Sequence, residues 1–150
     1  MSIFSGGCRC DAVRFDIKST PMLSSICHCH GCQRMTGSAY SAAITVSGDG
    51  FSVTRGDPVV GGLRGDGAQH MHCDRCKSWV FTKFPEPTPL VNIRLPMLDD
   101  PARFPPFVEM QTAEALSWAV IGAERQFERF PEMAEFADLM SDYAVWQNTD

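Results

Sequence analysis

The chain has 150 residues, 44% of them hydrophobic, and a formal net charge of −5, which suits one domain with a core of its own. No run of five or six basic residues occurs, so nucleic acid is not an expected partner, because phosphate binding rests on clustered Lys and Arg. No stretch of about 18 consecutive apolar residues occurs either, so no membrane span is expected.

The opening Met1-Ser2-Ile3-Phe4 lacks the charged and apolar regions of a secretory signal, which points to a cytoplasmic setting. Local basic groups stand at Arg34, Arg64, Arg75 and Lys77.

In chain order, residues 13–17 (VRFDI) alternate apolar and polar with period two, as a half-buried strand does. Residues 23–29 form a second strand candidate. The short 31–37 stretch (GCQRMTG) is bounded by glycines and reads as a turn or one helical turn. Residues 40–46 form a third strand, and Gly48-Asp49-Gly50 is a turn signal ahead of a fourth at 51–54.

Residues 56–67, rich in Gly, Asp and Pro, read as a mobile loop. Residues 69–72 and 79–84 flank Cys73 and Cys76 like the arms of a hairpin, and 85–89 (PEPTP) is a stiff connector. Residues 90–95 and 107–111 complete the strand candidates. Met133, Phe136, Ala137, Met140, Tyr143 and Ala144 recur at spacings of three and four, which predicts a terminal amphipathic helix with Pro131 near its start. The expected organisation is a single domain over 1–150, with a core at about 6–131 and a helical extension at 132–150.

The chemistry is carried by seven cysteines, spaced C-x-C (Cys8, Cys10), C-x-C-x-x-C (Cys27, Cys29, Cys32) and C-x-x-C (Cys73, Cys76). In a reducing compartment such clusters are metal ligands or catalytic groups more often than disulfides, and an odd count leaves one thiol over. A closed structural zinc site takes four ligands, whereas a catalytic one takes three and keeps a corner for water or substrate.

Sulfurs on one zinc lie about 3.8 Å apart, from the Zn–S length and tetrahedral angles. An ideal strand would set i and i+2 roughly 6.6 Å apart. Cys8 and Cys10 therefore need a bend, and Gly6-Gly7 offers the freedom for one. Cys8, Cys10, Cys73 and Cys76 together make one closed site. Cys27, Cys29 and Cys32 leave a corner open, suited to ionising a small thiol.

Rival readings stand beside this one. His28 and His30 alternate with the cysteines and on a strand would face away from them. His70 and His72 read as surface groups or as neighbours of the ligands. Cys29 and Cys32 could form a redox dithiol, although the βαβ context for one is absent. The whole set could be a non-catalytic module with two structural zincs. Trp79 and Trp118 read as core or rim aromatics rather than a substrate platform.

GGCRCDAVRF, CHCHGCQRMTGS, CDRCKSWVF and LPMLDDPARFPP resemble the glutathione-dependent formaldehyde-activating enzymes, a group that includes centromere protein V. The resemblance runs from about Gly6 to Pro131. It implies a mainly β fold, a β-tent of small antiparallel sheets built around zinc, to which the terminal helix is added. It also implies two Zn2+ per chain. Cys8, Cys10, Cys73 and Cys76 would hold the structural ion, and Cys27, Cys29 and Cys32 the catalytic one, whose occupancy can be partial.

The implied activity is that of a carbon–sulfur lyase, an S-(hydroxymethyl)glutathione synthase acting on glutathione or a similar small thiol and formaldehyde or another small aldehyde. Backbone donors near Gly37-Ser38 and the cation of Arg34 would hold a substrate's carboxylates, and Arg34 reads equally as a solvated surface residue. An oligomer is left open.

Three positions depart from the pattern. Lys77 stands where a turn glycine is usual, Ser117-Trp118 replaces a Pro-Trp pair, and Glu109 stands where many members have histidine, with an expected effect on substrate contacts.

Overall fold

The computed structural model describes residues 3–63, 67–87 and 89–149. Arg64 of the basic patch, part of the 56–67 loop and Thr88 of the connector lie outside the described residues. The protein is mainly β, with two sheets and a C-terminal helix.

In chain order the elements are β1 (Phe4–Gly7), β2 (Arg14–Ile17), β3 (Leu23–Cys27), α1 (His30–Thr36), β4 (Ser41–Ser47), β5 (Phe51–Arg55), β6 (Val59–Gly61), β7 (Gln69–His72), β8 (Trp79–Lys83), β9 (Leu90–Arg94), β10 (Val108–Met110), β11 (Arg125–Gln126) and α2 (Met133–Trp146). Single-turn 3₁₀ segments connect several of them. Two compact units result, one formed by residues 1–21 and 44–104 and the other by 22–43 and 105–150.

In the first unit β1, β2 and β5 make an antiparallel three-stranded sheet, and β9, β8, β7 and β6 lie side by side, also antiparallel. The period-two pattern works as sequence predicts. Phe15 and Ile17 of β2 are fully buried, and they join Ile44, Val46, Val80, Phe81 and Ile93 in one core that also takes in Cys8 and Cys73.

β1 and β6 have no strand signature, since β1 is half glycine and β6 falls in the stretch expected to be a loop. Gly6 and Gly7 serve close approach rather than bending. A Cβ on Gly6 would collide with the Met97 carbonyl and the Phe15 ring, and one on Gly7 would lie 2.6 Å from the Val13 carbonyl.

Arg14 makes a two-pronged ion pair with Asp99, which also accepts from the Ser5 hydroxyl at 2.7 Å. The Arg14 guanidinium, then Ser5, hold the Asp99 carboxyl below its ordinary range against the opposing effect of partial burial. A carboxyl lowered by folding stabilises fully above its unfolded pKa, and that contribution is lost as the pH falls through the folded value. Asp99→Asn should therefore lower the neutral plateau of the melting temperature–pH curve and flatten its acid limb by the same amount, a small one because the pair is half exposed.

In the second unit the strand order is β11-β10-β3, and both pairings are parallel, with Val108 opposite Ser25 and Arg125. This departs from the expectation of antiparallel sheets. Long connections bring strands distant in sequence together, and no local turn signal announces such a pairing.

α2 begins where the Glu135 carboxylate takes the Glu132 N–H at 2.6 Å. Its buried face is Leu139 and Tyr143, flanked by Phe136 and Trp146 and packed with Leu23, Phe107, Val108 and Met110. The face expected from sequence is turned from this one, since Met133 is 81% exposed and Ala137 and Ala144 face solvent. Aromatic packing decides the matter, because Phe107 lies 5.7 Å from Tyr143 and 5.1 Å from Trp146, ring centroid to centroid.

The helix is thus part of the unit's core. Leu139→Ala should lower stability by about 2–5 kcal/mol, the usual cost of emptying a buried leucine site, and thermal unfolding measures it. Among the described residues no helix is long and apolar enough to cross a membrane.

Candidate metal centres

Both cysteine groups converge as their spacing predicts, each within one unit. In the first unit the sulfurs of Cys8, Cys10, Cys73 and Cys76 all lie within 4.8 Å of one another. Cys8 and Cys10 are 3.6 Å apart and Cys10 and Cys73 are 3.8 Å apart, the separations that a tetrahedral metal–thiolate site requires and far beyond a disulfide bond.

The bend between Cys8 and Cys10 is a turn closed by the Asp11 N–H on the Cys8 carbonyl at 3.0 Å, with Asp11 in the left-handed region at φ 63°. The second pair sits on a knuckle between β7 and β8, where the Lys77 N–H reaches the Cys73 carbonyl at 2.9 Å. Lys77 adopts φ 61°, so the backbone keeps the form a glycine would favour, at a strain of about 1 kcal/mol.

Backbone N–H groups aim at sulfur, as Val13 does at Cys8 across 3.3 Å. Burial opposes ionisation of Cys76, but the Ser78 hydroxyl and N–H and the neighbouring Cys10 outweigh it, lowering that thiol to about 5. Four gathered sulfurs, one of them readily ionised, fit a soft divalent ion well.

In the second unit Cys27 ends β3, Cys29 caps α1 and Cys32 lies in its first turn; their sulfurs also lie within 4.8 Å of one another. No other His, Cys, Asp or Glu ligand atom joins them among the described residues. The Cys32 N–H donates to the Cys29 sulfur at 3.3 Å. Without a metal, the adjacent Cys32 sulfur and burial push the Cys27 thiol well up, and burial, followed by the charge of Cys32, raises Cys29. A bound cation reverses this logic, because it favours the thiolates that otherwise repel one another.

No histidine nitrogen joins either sulfur group among the described residues, and the strand on which the expected alternation rested ends at Cys27, with His30 already in α1. His28 is fully buried and its Nε2 lies 2.7 Å from Glu109 Oε2. That carboxylate also accepts the N–H groups of Ala123 (2.8 Å) and Ile121 (3.2 Å). Burial raises the Glu109 carboxyl, but these donors, Ala123 first and then His28, prevail and hold it below the ordinary range.

Glu109 is fully buried, and both of its carboxylate oxygens are engaged within the protein. It braces the backbone between Cys27 and Cys29 and anchors residues 121–123. Glu109→Gln should destabilise the protein by about 1–3 kcal/mol, since a carboxamide cannot accept on both sides and one buried donor loses its partner. Chemical denaturation measures the loss.

Sequence reasoning also missed Glu114. Its carboxylate takes the His30 N–H at 2.7 Å, and Gln33 Nε2 bridges the Glu114 and His28 carbonyls at 2.9 and 2.7 Å.

The expected anion donors at Gly37-Ser38 are already engaged. Gly37, left-handed at φ 63°, closes α1 with its N–H on the Gln33 carbonyl, and the Ser38 N–H bonds the same carbonyl at 3.2 Å. Arg34 is exposed in the last turn of α1. His70 and His72 lie in the first unit, half-buried on Trp79, with His70 Nδ1 2.9 Å from the Thr82 hydroxyl. Trp79 is core, but Trp118 is 78% exposed.

Residues 3–114 match the family model described as glutathione-dependent formaldehyde-activating enzyme. The chain belongs to the glutathione-dependent formaldehyde-activating enzyme family. Membership accounts for the motifs around all seven cysteines, whereas α2 lies beyond the matched residues. The family is enzymatic in general, and its description points to formaldehyde activation and thiol addition.

Among curated proteins, none matches the chain. The fold is similar to that of a Rhodobacter sphaeroides protein solved by crystallography as a Northeast Structural Genomics target, with a TM-score of 0.51 and 20% identity, over 63% of this chain and 87% of that one.

Proposed function

We propose that the protein is a zinc-dependent enzyme of the carbon–sulfur lyase type, cytoplasmic and of β-tent architecture, that joins glutathione or a similar thiol to formaldehyde or another small aldehyde. The observation that carries this is the contrast between two gatherings of thiols. Cys8, Cys10, Cys73 and Cys76 supply the full ligand set of a closed structural ion, whereas Cys27, Cys29 and Cys32 supply three ligands and a free corner.

When bound at the three sulfurs, zinc would lower the pKa of an incoming thiol so that it ionises near neutral pH. The thiol sulfur attacks the carbonyl carbon, the C–S bond forms as the carbonyl π pair moves to oxygen, and that oxygen takes the proton the thiol released. No electron is gained or lost overall, and the reverse path is a lyase reaction.

The chain's own residues hold the geometry. Cys29 is fixed at the start of α1 by the Cys32 N–H, Glu114 pins the backbone on its far side at His30, and Gln33 and the buried His28–Glu109 pair pin the near side at His28. Proton NMR of formaldehyde and glutathione mixtures tests the reading. The zinc-loaded protein should speed exchange into the S-hydroxymethyl adduct well above the uncatalysed background. Equal rates with and without protein, at full zinc loading, would sink it.

A further inference from the structure

The segment after Glu114 plays no part in the chemistry above. Leu116, Trp118, Val120 and Ile121 are exposed by 38, 78, 43 and 45%, and residues 115–121 include no charged side chain. Single exposed apolar residues are ordinary. Four within six residues, fastened beside a reactive centre, call for an occupant.

Both ends of this strap are tied to the residues on either side of Cys29. At one end the Glu114 carboxylate takes the His30 N–H, and the Glu114 carbonyl shares Gln33 Nε2 with the His28 carbonyl. At the other end the Ile121 N–H and the His28 ring meet on one oxygen of Glu109, while Ala123 takes the second. The strap therefore leaves from His30 and returns to His28, with the Cys29 sulfur on the residue between them.

Charge narrows the occupant. The second unit carries three cations, Arg34, Arg125 and Arg129, against nine Asp and Glu residues. A centre of three thiolates on a divalent ion adds a further net charge of about −1. An anionic carbonyl partner is disfavoured on this strap, and an uncharged apolar one finds a surface to cover. Formaldehyde, with a single carbon, would leave that surface exposed.

We propose that residues 115–121 form a specificity surface for the carbonyl partner, and that the substrate class is an uncharged aldehyde with an apolar aryl or alkyl body, with Trp118 as its platform. This rests on the reading of Cys27, Cys29 and Cys32 as the reacting centre. The bond changes are those given above, with the thiol sulfur joining the carbonyl carbon and the thiol proton passing to oxygen.

The zinc-loaded full chain, with 2-mercaptoethanol as thiol, is compared on benzaldehyde and formaldehyde, alone and as Trp118→Ala. The ratio of kcat/KM for benzaldehyde over formaldehyde should favour benzaldehyde in the parent and fall about tenfold in the variant, the scale of one apolar contact in a specificity pocket. Saturation-transfer NMR of benzyl alcohol, an unreactive mimic, should show contact with the parent and lose it in the variant. Formaldehyde turnover with no benzaldehyde preference overturns this inference alone. An unchanged ratio accompanied by a dimer-to-monomer shift in the variant overturns it in favour of an interface between copies. No adduct from either aldehyde overturns the proposed function as well.

Discussion

Cys73→Ser is expected to abolish cooperative unfolding of the first unit at 25 °C. Cys73 is 1% exposed and sits in the same core as Phe15, Ile44, Val80 and Phe81. Its sulfur is one of four that gather the Cys8–Cys10 turn and the β7–β8 knuckle at one point.

The magnitude decides the outcome. Structural zinc contributes about 10–16 kcal/mol in small zinc peptides, whereas a whole domain is stable by about 5–15 kcal/mol. Losing one thiolate ligand removes much of the first figure and has little to fall back on in the second. The elements so joined are short strands and turns, which do not hold together alone. Circular dichroism melts should show a broad, non-cooperative loss of signal, and a chelator added to the parent protein should reproduce it. A sharp transition in Cys73→Ser within a few degrees of the parent would show that the four sulfurs are not a structural metal site.

Cys29→Ser should act oppositely, removing turnover and sparing the fold. Cys29 caps α1 and belongs to a unit whose core is supplied independently by Leu23, Phe107, Val108, Met110, Leu139 and Tyr143. Serine can still cap a helix start, so the local backbone keeps a reason to hold its shape. A hydroxyl is a poor ligand for a soft ion at neutral pH, so the ion at this centre should be lost. Adduct formation should fall to the uncatalysed background, elemental analysis should count one zinc per chain in place of two, and the melting temperature should stay within a few degrees. A folded, one-zinc variant that keeps parental activity would move the chemistry elsewhere.

The gathering of the sulfurs into one group of four and one of three was readable from the residues because C-x-C and C-x-x-C intervals are local, and local spacing constrains where sulfurs can meet. The strands with clean alternation were readable for the same reason, residues 14–17 above all. What escaped was non-local. β1 is written in glycines that make room for Phe15 and the Met97 carbonyl, and no period marks it. The buried face of α2 follows the rings of Phe107, Tyr143 and Trp146, which meet only after β10 has paired with β3.

The Glu109–His28 pair escaped likewise, although a signal was present. A carboxylate inside the apolar run Phe107-Val108-Glu109-Met110 must find a partner if that strand is buried. A histidine out of phase with two thiols is a fitting one. Glu114 offered no such signal, because its contact with the His30 N–H depends on where the β10 exit lies.

The central claim, a closed site of four thiols and an open one of three, is tested most directly by the absorption spectrum of the cobalt-substituted protein during titration with glutathione or 2-mercaptoethanol. A thiol entering the free corner should change the thiolate-to-cobalt bands of one of the two ions in the parent and of none in Cys29→Ser. An unchanged parent spectrum, or the same change in both proteins, would contradict the account.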